Sequence, residues 1–151
     1  MLYRFLEEPD FEPLEELERR LAPGRTEHGY RATPASLRYY SRTRHSFVAE
    51  EGGELHGFLL AQAVWQGDRA TVLVTRALAD DAETLEGLLR ALVKSAYDAN
   101  AYEVALLLDP EQDPALARAA KALGLTDSQR RLYARVLGTR GTREGPEHVL
   151  G

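Results

Sequence analysis

The sequence has no cysteine among its 151 residues. This excludes disulfides, thiolate metal sites, iron–sulfur clusters and a cysteine nucleophile. It also has no apolar run that approaches the roughly 20 residues a membrane-spanning helix needs. Glu7, Glu8 and Asp10 stand where a secretory signal would have its apolar stretch. We therefore expect a cytoplasmic protein without a membrane partner.

An excess of basic residues is missing as well. Nineteen Lys and Arg residues face 24 Asp and Glu residues, for a formal net charge of −5. Proteins that bind nucleic acid through phosphates normally carry a basic excess, so we expect no nucleic-acid partner. The four histidines show no spacing typical of metal ligands, and the sequence therefore predicts no metal site.

The composition is that of a globular protein, with 44% hydrophobic and 28% charged residues. A chain of this length suits one domain, which we place at residues 1–137. From Gly138 onward Gly, Thr, Arg, Glu and Pro dominate, so we expect residues 138–151 to form a loosely ordered tail.

A strand, a long helix and a second strand are predicted in the middle of the chain. Residues 70–75 and 102–108 are apolar runs with the length and composition of strands buried on both faces. Between Leu85 and Tyr97, apolar residues recur at spacings of three and four, which is typical of a helix that covers a sheet. A connection of this length makes the two strands parallel, with a right-handed crossover.

Other predicted elements flank this βαβ unit on both sides. They are a strand at 2–6, helices at 10–21 and 33–44, strands at 46–50 and 55–65 joined by a glycine turn, a helix at 113–124 and a last strand at 129–137. The predicted fold class is α/β (α+β), with element order β-α-α-β-β-β-α-β-α-β. Its mixed sheet has antiparallel N-terminal strands and a central parallel pair.

This order of elements resembles the GNAT superfamily of acetyl-CoA-dependent N-acetyltransferases over residues 1–137. The segment FVAEEGGELHGFLLA at 47–61 is similar to the family's second and third strands. Residues 115–125, which end in Gly124 and Leu125, are similar to its last helix and the Gly-Phe that follows. The resemblance implies acyl transfer from acyl-CoA to a small-molecule or peptide amine.

The resemblance also implies where the cofactor would bind, between the parallel strands and the start of the central helix. The cofactor-binding candidates are Val74, Thr75, Arg76, Thr84 and Leu85. In the family, a loop of the form Gln/Arg-x-x-Gly-x-Gly/Ala binds the pyrophosphate of coenzyme A through backbone N–H groups at the helix N-terminus. Here residues 79–87 contain no Gln or Arg and a single glycine, Gly87.

Acidic residues replace that loop. Asp80 and Glu83 have the spacing of a capping box, in which a helix satisfies its free N–H groups with its own side chains. Asp81 and Glu86 add negative charge. Two like charges ~4 Å apart repel by up to about 4 kcal/mol near a surface. This repulsion exceeds the ~1 kcal/mol by which a helix dipole typically stabilises an anion at its N-terminus. We expect acetyl-CoA to bind weakly or not at all.

Catalytic and substrate-binding candidates are fewer. Many family members carry a tyrosine that protonates the leaving thiolate four residues before the glycine of the last helix, where this sequence has Ala120. Tyr133 is a substitute acid, although a tyrosine on a strand is more often a packing residue. Arg38, Tyr39 and Arg42 lie on the second helix, which borders the acceptor site in the family. They could bind an acidic or aromatic acceptor, or form a solvated helix face.

Three functions of different classes remain open. The first is an N-acetyltransferase with an atypical cofactor site. The second is a GNAT-fold protein that no longer binds coenzyme A and instead binds a small ligand or regulates a partner. The third is an association protein that forms a homodimer or a larger assembly. Family resemblance favours the first and the loop chemistry favours the second, because function belongs to the site rather than to the fold.

Overall fold

Five strands form one mixed sheet in the order β1-β2-β3-β4-β5 in the computed structural model, which describes residues 1–22 and 32–138. The strands are β1 (Leu2–Phe5), β2 (Phe47–Glu51), β3 (Glu54–Gln66), β4 (Arg69–Ala79) and β5 (Glu103–Leu106). The first four pair antiparallel, whereas β4 and β5 are parallel and adjacent. The predicted fold class and the central parallel unit are thereby confirmed.

Helices cover both faces of the sheet. They are α1 (Phe11–Leu21), α2 (Pro34–Thr43), α3 (Ala82–Asp98) and α4 (Pro114–Ala122). One buried cluster joins α1 and α2 to the face of Val48, Phe58 and Leu60. A second joins α3 and α4 to the opposite face, which carries Val72 and Val74. The sheet is therefore the middle layer between two hydrophobic cores.

Two glycines let α3 approach the sheet. A Cβ built on Gly57 of β3 would lie 2.9 Å from the Cβ of Ala79 and 3.0 Å from Cδ1 of Leu88. A Cβ on Gly87 of α3 would overlap the Tyr3 ring. The single glycine of the segment at 79–87 thus serves packing against β1, and it lies well inside α3 rather than at the helix start.

The strand β4 is longer than the predicted 70–75. The reason is a bulge: Ala61 pairs with Val74 and Leu60 with Arg76, so Thr75 is an extra residue. Side chains of a regular strand alternate between the two faces of the sheet, and the extra residue at the bulge interrupts this alternation. Val74 and Ala77, three positions apart, therefore both face α3. A strict period of two therefore stops at Thr75, although pairing with β3 continues to Ala79.

The predicted last strand at 129–137 is wrong for the described structure, in which this segment has no regular secondary structure. Leu132, Tyr133 and Val136 are 76%, 90% and 72% exposed. Alternation is a pattern that a strand can use, but a strand also needs a partner edge, and this segment does not pair with β5. The predicted tail, except for Gly138, lies outside the described residues.

Candidate functional site

A groove opens where β4 and β5 part. The two strands pair over four positions only, from Thr71 with Glu103 to Val74 with Leu106. The Leu107 N–H then donates to the Val74 carbonyl at 3.0 Å. Beyond that point β4 continues to Ala79 with β3 as its partner. The carboxyl end of a parallel strand pair is where ligands of open α/β sheets bind.

Within residues 1–22 and 32–138, the second half of β4 has backbone groups without a strand partner on the groove side. The Asp80 N–H donates to the His56 carbonyl of β3 at 2.8 Å. Because backbone groups alternate in direction along an antiparallel ladder, those of Ala77 and Ala79 point away from β3. They face the side that β5 no longer covers, and they can bind an extended ligand as a strand would.

The bulge directs two polar side chains to the α1 and α2 side. The Thr75 and Tyr40 hydroxyls are 2.9 Å apart, and Tyr40 is only 4% exposed. Arg76 donates from Nε to Oε2 of Glu18 at 2.6 Å. Glu18 also accepts from the Ala32 N–H at 3.0 Å. The point where the strands part is therefore lined by a hydroxyl pair and a buried ion pair.

The start of α3 differs from the predicted capping box. Asp81, not Asp80, is the N-cap, and its Oδ1 accepts from the Thr84 N–H at 2.7 Å. This hydrogen bond lowers the pKa of Asp81 below its usual value. The prediction of Asp80 and Glu83 as the cap is wrong, because Asp80 still belongs to the end of the β3–β4 ladder. The helix nonetheless satisfies a free N–H group with its own carboxylate.

Asp80 contacts an arginine and a histidine. Its carboxylate accepts from Arg20 of α1 at 3.0 Å and lies 2.8 Å from Nδ1 of His56. The hydrogen bond with Asp80 raises the pKa of His56 above its usual value. Glu86, another acidic residue near the start of α3, accepts a hydrogen bond on Oε1 from Nη2 of Arg90 at 2.7 Å. Two of the four carboxylates near the helix start are therefore matched by cations.

The cofactor-binding candidates divide between the groove and its surroundings. Val74 and Thr75 lie where the strands part. The side chain of Arg76 is held by Glu18, on the α1 side of the sheet. Thr84 and Leu85 are in the first turn of α3, and both are buried, at 3% and 5% exposed. The Thr84 N–H is occupied by Asp81.

The other candidates are not gathered at the groove. Arg38 and Arg42 are exposed on α2, and Tyr39 donates to Oε1 of Gln62 at 2.8 Å. Tyr133 lies 90% exposed on the segment that does not pair with β5. Ala120 is buried on α4.

A separate surface pocket of about 470 Å³ lies at the opposite end of β4, beside Arg69, Tyr97 and Tyr102.

No helix within residues 1–22 and 32–138 is long and apolar enough to cross a membrane. No group of three or more His, Cys, Asp or Glu residues there could hold a metal ion.

Sequence reasoning missed the pairs that join α1 to the strand. Glu18 and Arg76 are 58 positions apart, and Arg20 and Asp80 are 60 apart. No local pattern connects residues at such separations. The one available signal was the arginine within β4, since a charged residue in a buried strand requires a partner.

Comparisons with known proteins agree with this architecture. The sequence model of the family described as "Protein of unknown function (DUF1999)" matches residues 1–149. The wild-type crystal structure of TTHA1254 from Thermus thermophilus is 49% identical, with a TM-score of 0.79, over 93% of this chain and 100% of that one. No curated protein matches the sequence.

More distant structures share the fold. Aminoglycoside N-acetyltransferase AAC(6')-Iy in complex with CoA is 19% identical with a TM-score of 0.71, over 91% of this chain and 95% of that one. A ribosomal-protein-alanine N-acetyltransferase from Brucella melitensis biovar Abortus 2308 is 12% identical with a TM-score of 0.69, over 90% and 100%. The fold is therefore a divergent GNAT-like one.

Proposed function

The chain belongs to the family described as "Protein of unknown function (DUF1999)", and from that premise we propose that it is an acyl-CoA-dependent N-acetyltransferase with a weak cofactor site. The acceptor would be a small-molecule or peptide amine. The observation that carries the proposal is the groove between β4 and β5, in which Ala77 and Ala79 offer backbone groups beside the point where the strands part. Structures of the same fold include an acetyltransferase in complex with CoA.

The groove suits the pantetheine arm of coenzyme A better than its phosphates. An extended amide chain can pair with the open backbone groups of Ala77 and Ala79, as a strand would. Bound acetyl-CoA would supply a thioester whose acyl carbon accepts the amine. The phosphates would meet the first turn of α3, where Asp81 occupies the Thr84 N–H. Weak binding follows from this competition, because the carboxylate must leave before that N–H group can bind phosphate.

Tyr40 and Thr75 are the proton-handling candidates. Their hydroxyls lie 2.9 Å apart at the bulge, next to the end of the parallel pairing. During acyl transfer a C–N bond forms, the C–S bond breaks, the amine loses a proton and the thiolate gains one. In this proposal Thr75 donates a proton to the sulfur and Tyr40 replaces the proton on Thr75, while the amine releases its proton to water and Tyr40 takes one back from water, so that no net proton is gained or lost. This hydroxyl pair would protonate the leaving thiolate, a role that the methyl side chain of Ala120 cannot perform.

The acceptor would approach from the α2 side. Tyr39 is half-exposed there, and Arg38 and Arg42 are exposed on the same helix. Their guanidinium groups suit an acceptor that carries a carboxylate beside its amine. Arg76 does not contribute to this recognition, since Glu18 holds it at 2.6 Å.

Calorimetric titration with acetyl-CoA tests the cofactor site. We expect the unmodified protein to bind in the high micromolar range or more weakly. Asp81→Gly frees the Thr84 N–H, and glycine is tolerated at an N-cap. It should bind at least about tenfold more tightly, a gain of ~1.4 kcal/mol.

Glu86→Gln is the matched control for that variant. It removes one negative charge from the same helix end without freeing an N–H group, and we expect its affinity to change by less than about threefold, or ~0.7 kcal/mol. Low-micromolar binding by the unmodified protein would contradict the weak-site proposal. An equal gain in both variants would show that charge alone, not the occupied N–H group, limits binding.

A non-catalytic GNAT-fold protein that binds a small ligand, regulates a partner or acts by association is the second candidate. The observation that favours it is the buried Ala120, together with the 90% exposure of Tyr133 on a segment away from the groove. An assay of thiol release from acetyl-CoA with a panel of amines separates the two. Release that depends on an amine and falls in Thr75→Val supports the enzyme, whereas no release with any amine supports the binding protein.

A further inference from the structure

The outer edge of β5 is open in the described part of the chain. β5 pairs with β4 on one side, and the Tyr102 N–H just before it donates to the Ala70 carbonyl at 2.8 Å. Since backbone groups alternate in direction along a strand, Val104 also faces β4, and Glu103 and Ala105 present their N–H and C=O groups to the outside. An open edge of this kind is a template for another strand.

The same chain carries a segment with the alternation of a strand that does not pair with any strand among the described residues. Residues 129–137 alternate, and within them Leu132, Tyr133, Val136 and Leu137 are between 60% and 90% exposed. So many large apolar side chains on one stretch of surface mark an interaction site rather than ordinary surface. The segment begins at Gln129, whose φ of 63° is in the left-handed region and turns the chain just before the alternation starts.

Charge links this segment to β5. Arg130 donates from both terminal nitrogens to Glu103, at 3.2 Å each. The segment therefore reaches the start of its own β5 but does not continue along it, because Leu132 and Tyr133 remain exposed. The chain passes beside a free strand edge and does not pair with it.

We propose that residues 129–137 of one copy pair as a strand with β5 of a second copy, and that the exchange is reciprocal. A two-fold dimer of this kind satisfies both open edges and both exposed segments at once. It also extends the sheet beside the groove, so that each copy borders the cofactor site of the other. The proposal depends on the open edge and the exposed segment, and it stands whether or not the protein transfers acyl groups.

Disulfide trapping tests the exchange directly, since the native chain has no cysteine. Ala105→Cys is combined, one at a time, with Leu132→Cys, Ala134→Cys or Val136→Cys. Adjacent strands bring at least one of these pairs within the 4.4–6.8 Å between Cα atoms that a disulfide spans. We expect a covalent dimer in at least one double variant and only traces in the single variants. A disulfide at monomer mass would show pairing within one chain, and either that result or no disulfide in any variant overturns the proposal.

Sedimentation analysis of full-length variants gives the second test. Ala105→Pro removes an outward N–H group and places a ring on the edge, while it leaves the bonds between β4 and β5 intact. Leu132→Ser with Val136→Ser removes the apolar face of the segment. Both should raise the dimer dissociation constant at least about tenfold, with thermal melting of the monomer used to confirm folding.

Leu2→Ser with Trp65→Ser is the matched control. These side chains are also exposed, at 56% and 67%, but they lie on β1 and β3, which β4 separates from β5. We expect this control to dimerise like the native chain. A native chain that stays monomeric at high micromolar concentration would overturn the proposal. So would a dimer that the control abolishes while Ala105→Pro leaves it unchanged.

Discussion

Two charge clusters flank the second half of β4, and they differ chiefly in burial. Glu18 and Arg76 form a pair with both side chains 10% exposed. The other cluster joins Arg20, Asp80 and His56, whose side chains are 60%, 26% and 28% exposed. Each cluster ties α1 to the same strand region, from positions only two residues apart on the helix.

The helix α1 therefore contacts the end of β4 in two ways, through a buried ion pair and through a solvent-exposed one. Each side chain of the buried pair is only 10% exposed, so a lost partner is poorly replaced by solvent, and the pair anchors the bulge and the chain at Ala32. The surface cluster can exchange Asp80 for water or for another anion at small cost. We therefore expect the hydroxyl side of the groove to be rigid and the phosphate side to be adaptable.

Glu18→Ala should have the largest effect on stability. It leaves Arg76 buried without its carboxylate, and breaking a buried pair costs about 3–5 kcal/mol. Urea unfolding followed by circular dichroism measures this loss. The double variant Glu18→Leu with Arg76→Met removes both charges and should lose much less. A loss below about 1 kcal/mol in Glu18→Ala would mean that water reaches the Arg76 guanidinium.

Asp80→Asn should have a smaller effect. The substitution leaves Arg20 and His56 in contact with water, and exposed pairs contribute at most about 1 kcal/mol. The loss should also shrink as salt is added, because salt screens charges at the surface. Urea unfolding at low and high sodium chloride concentration checks both points. The same salt series on Glu18→Ala is the comparison, and we expect its loss to change little.

The pH dependence at His56 should be the smallest effect. Its pKa is raised in the folded state, so the stabilising contribution is fully present below the unfolded pKa of ~6.5 and is lost as pH rises through the folded pKa. Asp80 and Glu51 are the acidic groups that favour its charged form. NMR titration of the ring should give a raised midpoint that falls back towards the usual value in Asp80→Asn. Equal midpoints in the two proteins would contradict the assigned partner.

His56→Asn gives the matching stability test. Asparagine keeps a hydrogen-bond donor for Asp80 but carries no charge. The native protein should exceed this variant in free energy of unfolding by more at pH 5.5 than at pH 8.5. The reverse order would show that the neutral ring is the form that the folded state prefers.

The sequence alone predicted those features whose structure is determined by residues close together in the chain. Gly52 and Gly53 have φ values of 61° and 82°, as the predicted hairpin turn requires. Thr33 caps α2, with its side chain accepting from the Ser36 N–H. The periodicity between Leu85 and Tyr97 predicted α3, and a helix of that length made the flanking strands parallel. These features depend on separations of a few residues.

The rest depended on partners that are distant in the chain. The bulge at Thr75 exists only in register with β3, so no property of β4 alone indicates it. Asp81 rather than Asp80 became the cap because the β3–β4 ladder extends to the Asp80 N–H, which was beyond the predicted strand end. The segment at 129–137 had the alternation of a strand, but whether it pairs depends on a free edge and not on its own residues.

The short length of β5 also has a consequence for folding order and local opening. The β3–β4 hairpin pairs over ten positions across a tight turn, whereas β5 pairs over four and joins the sheet through α3. Local contacts form early and non-local ones late, so β5 should be among the last elements to dock and the first to open. Its amide protons should exchange with solvent faster than those of the hairpin. The wall of the groove would then be the part of the sheet that opens most readily, without the rest of the protein unfolding.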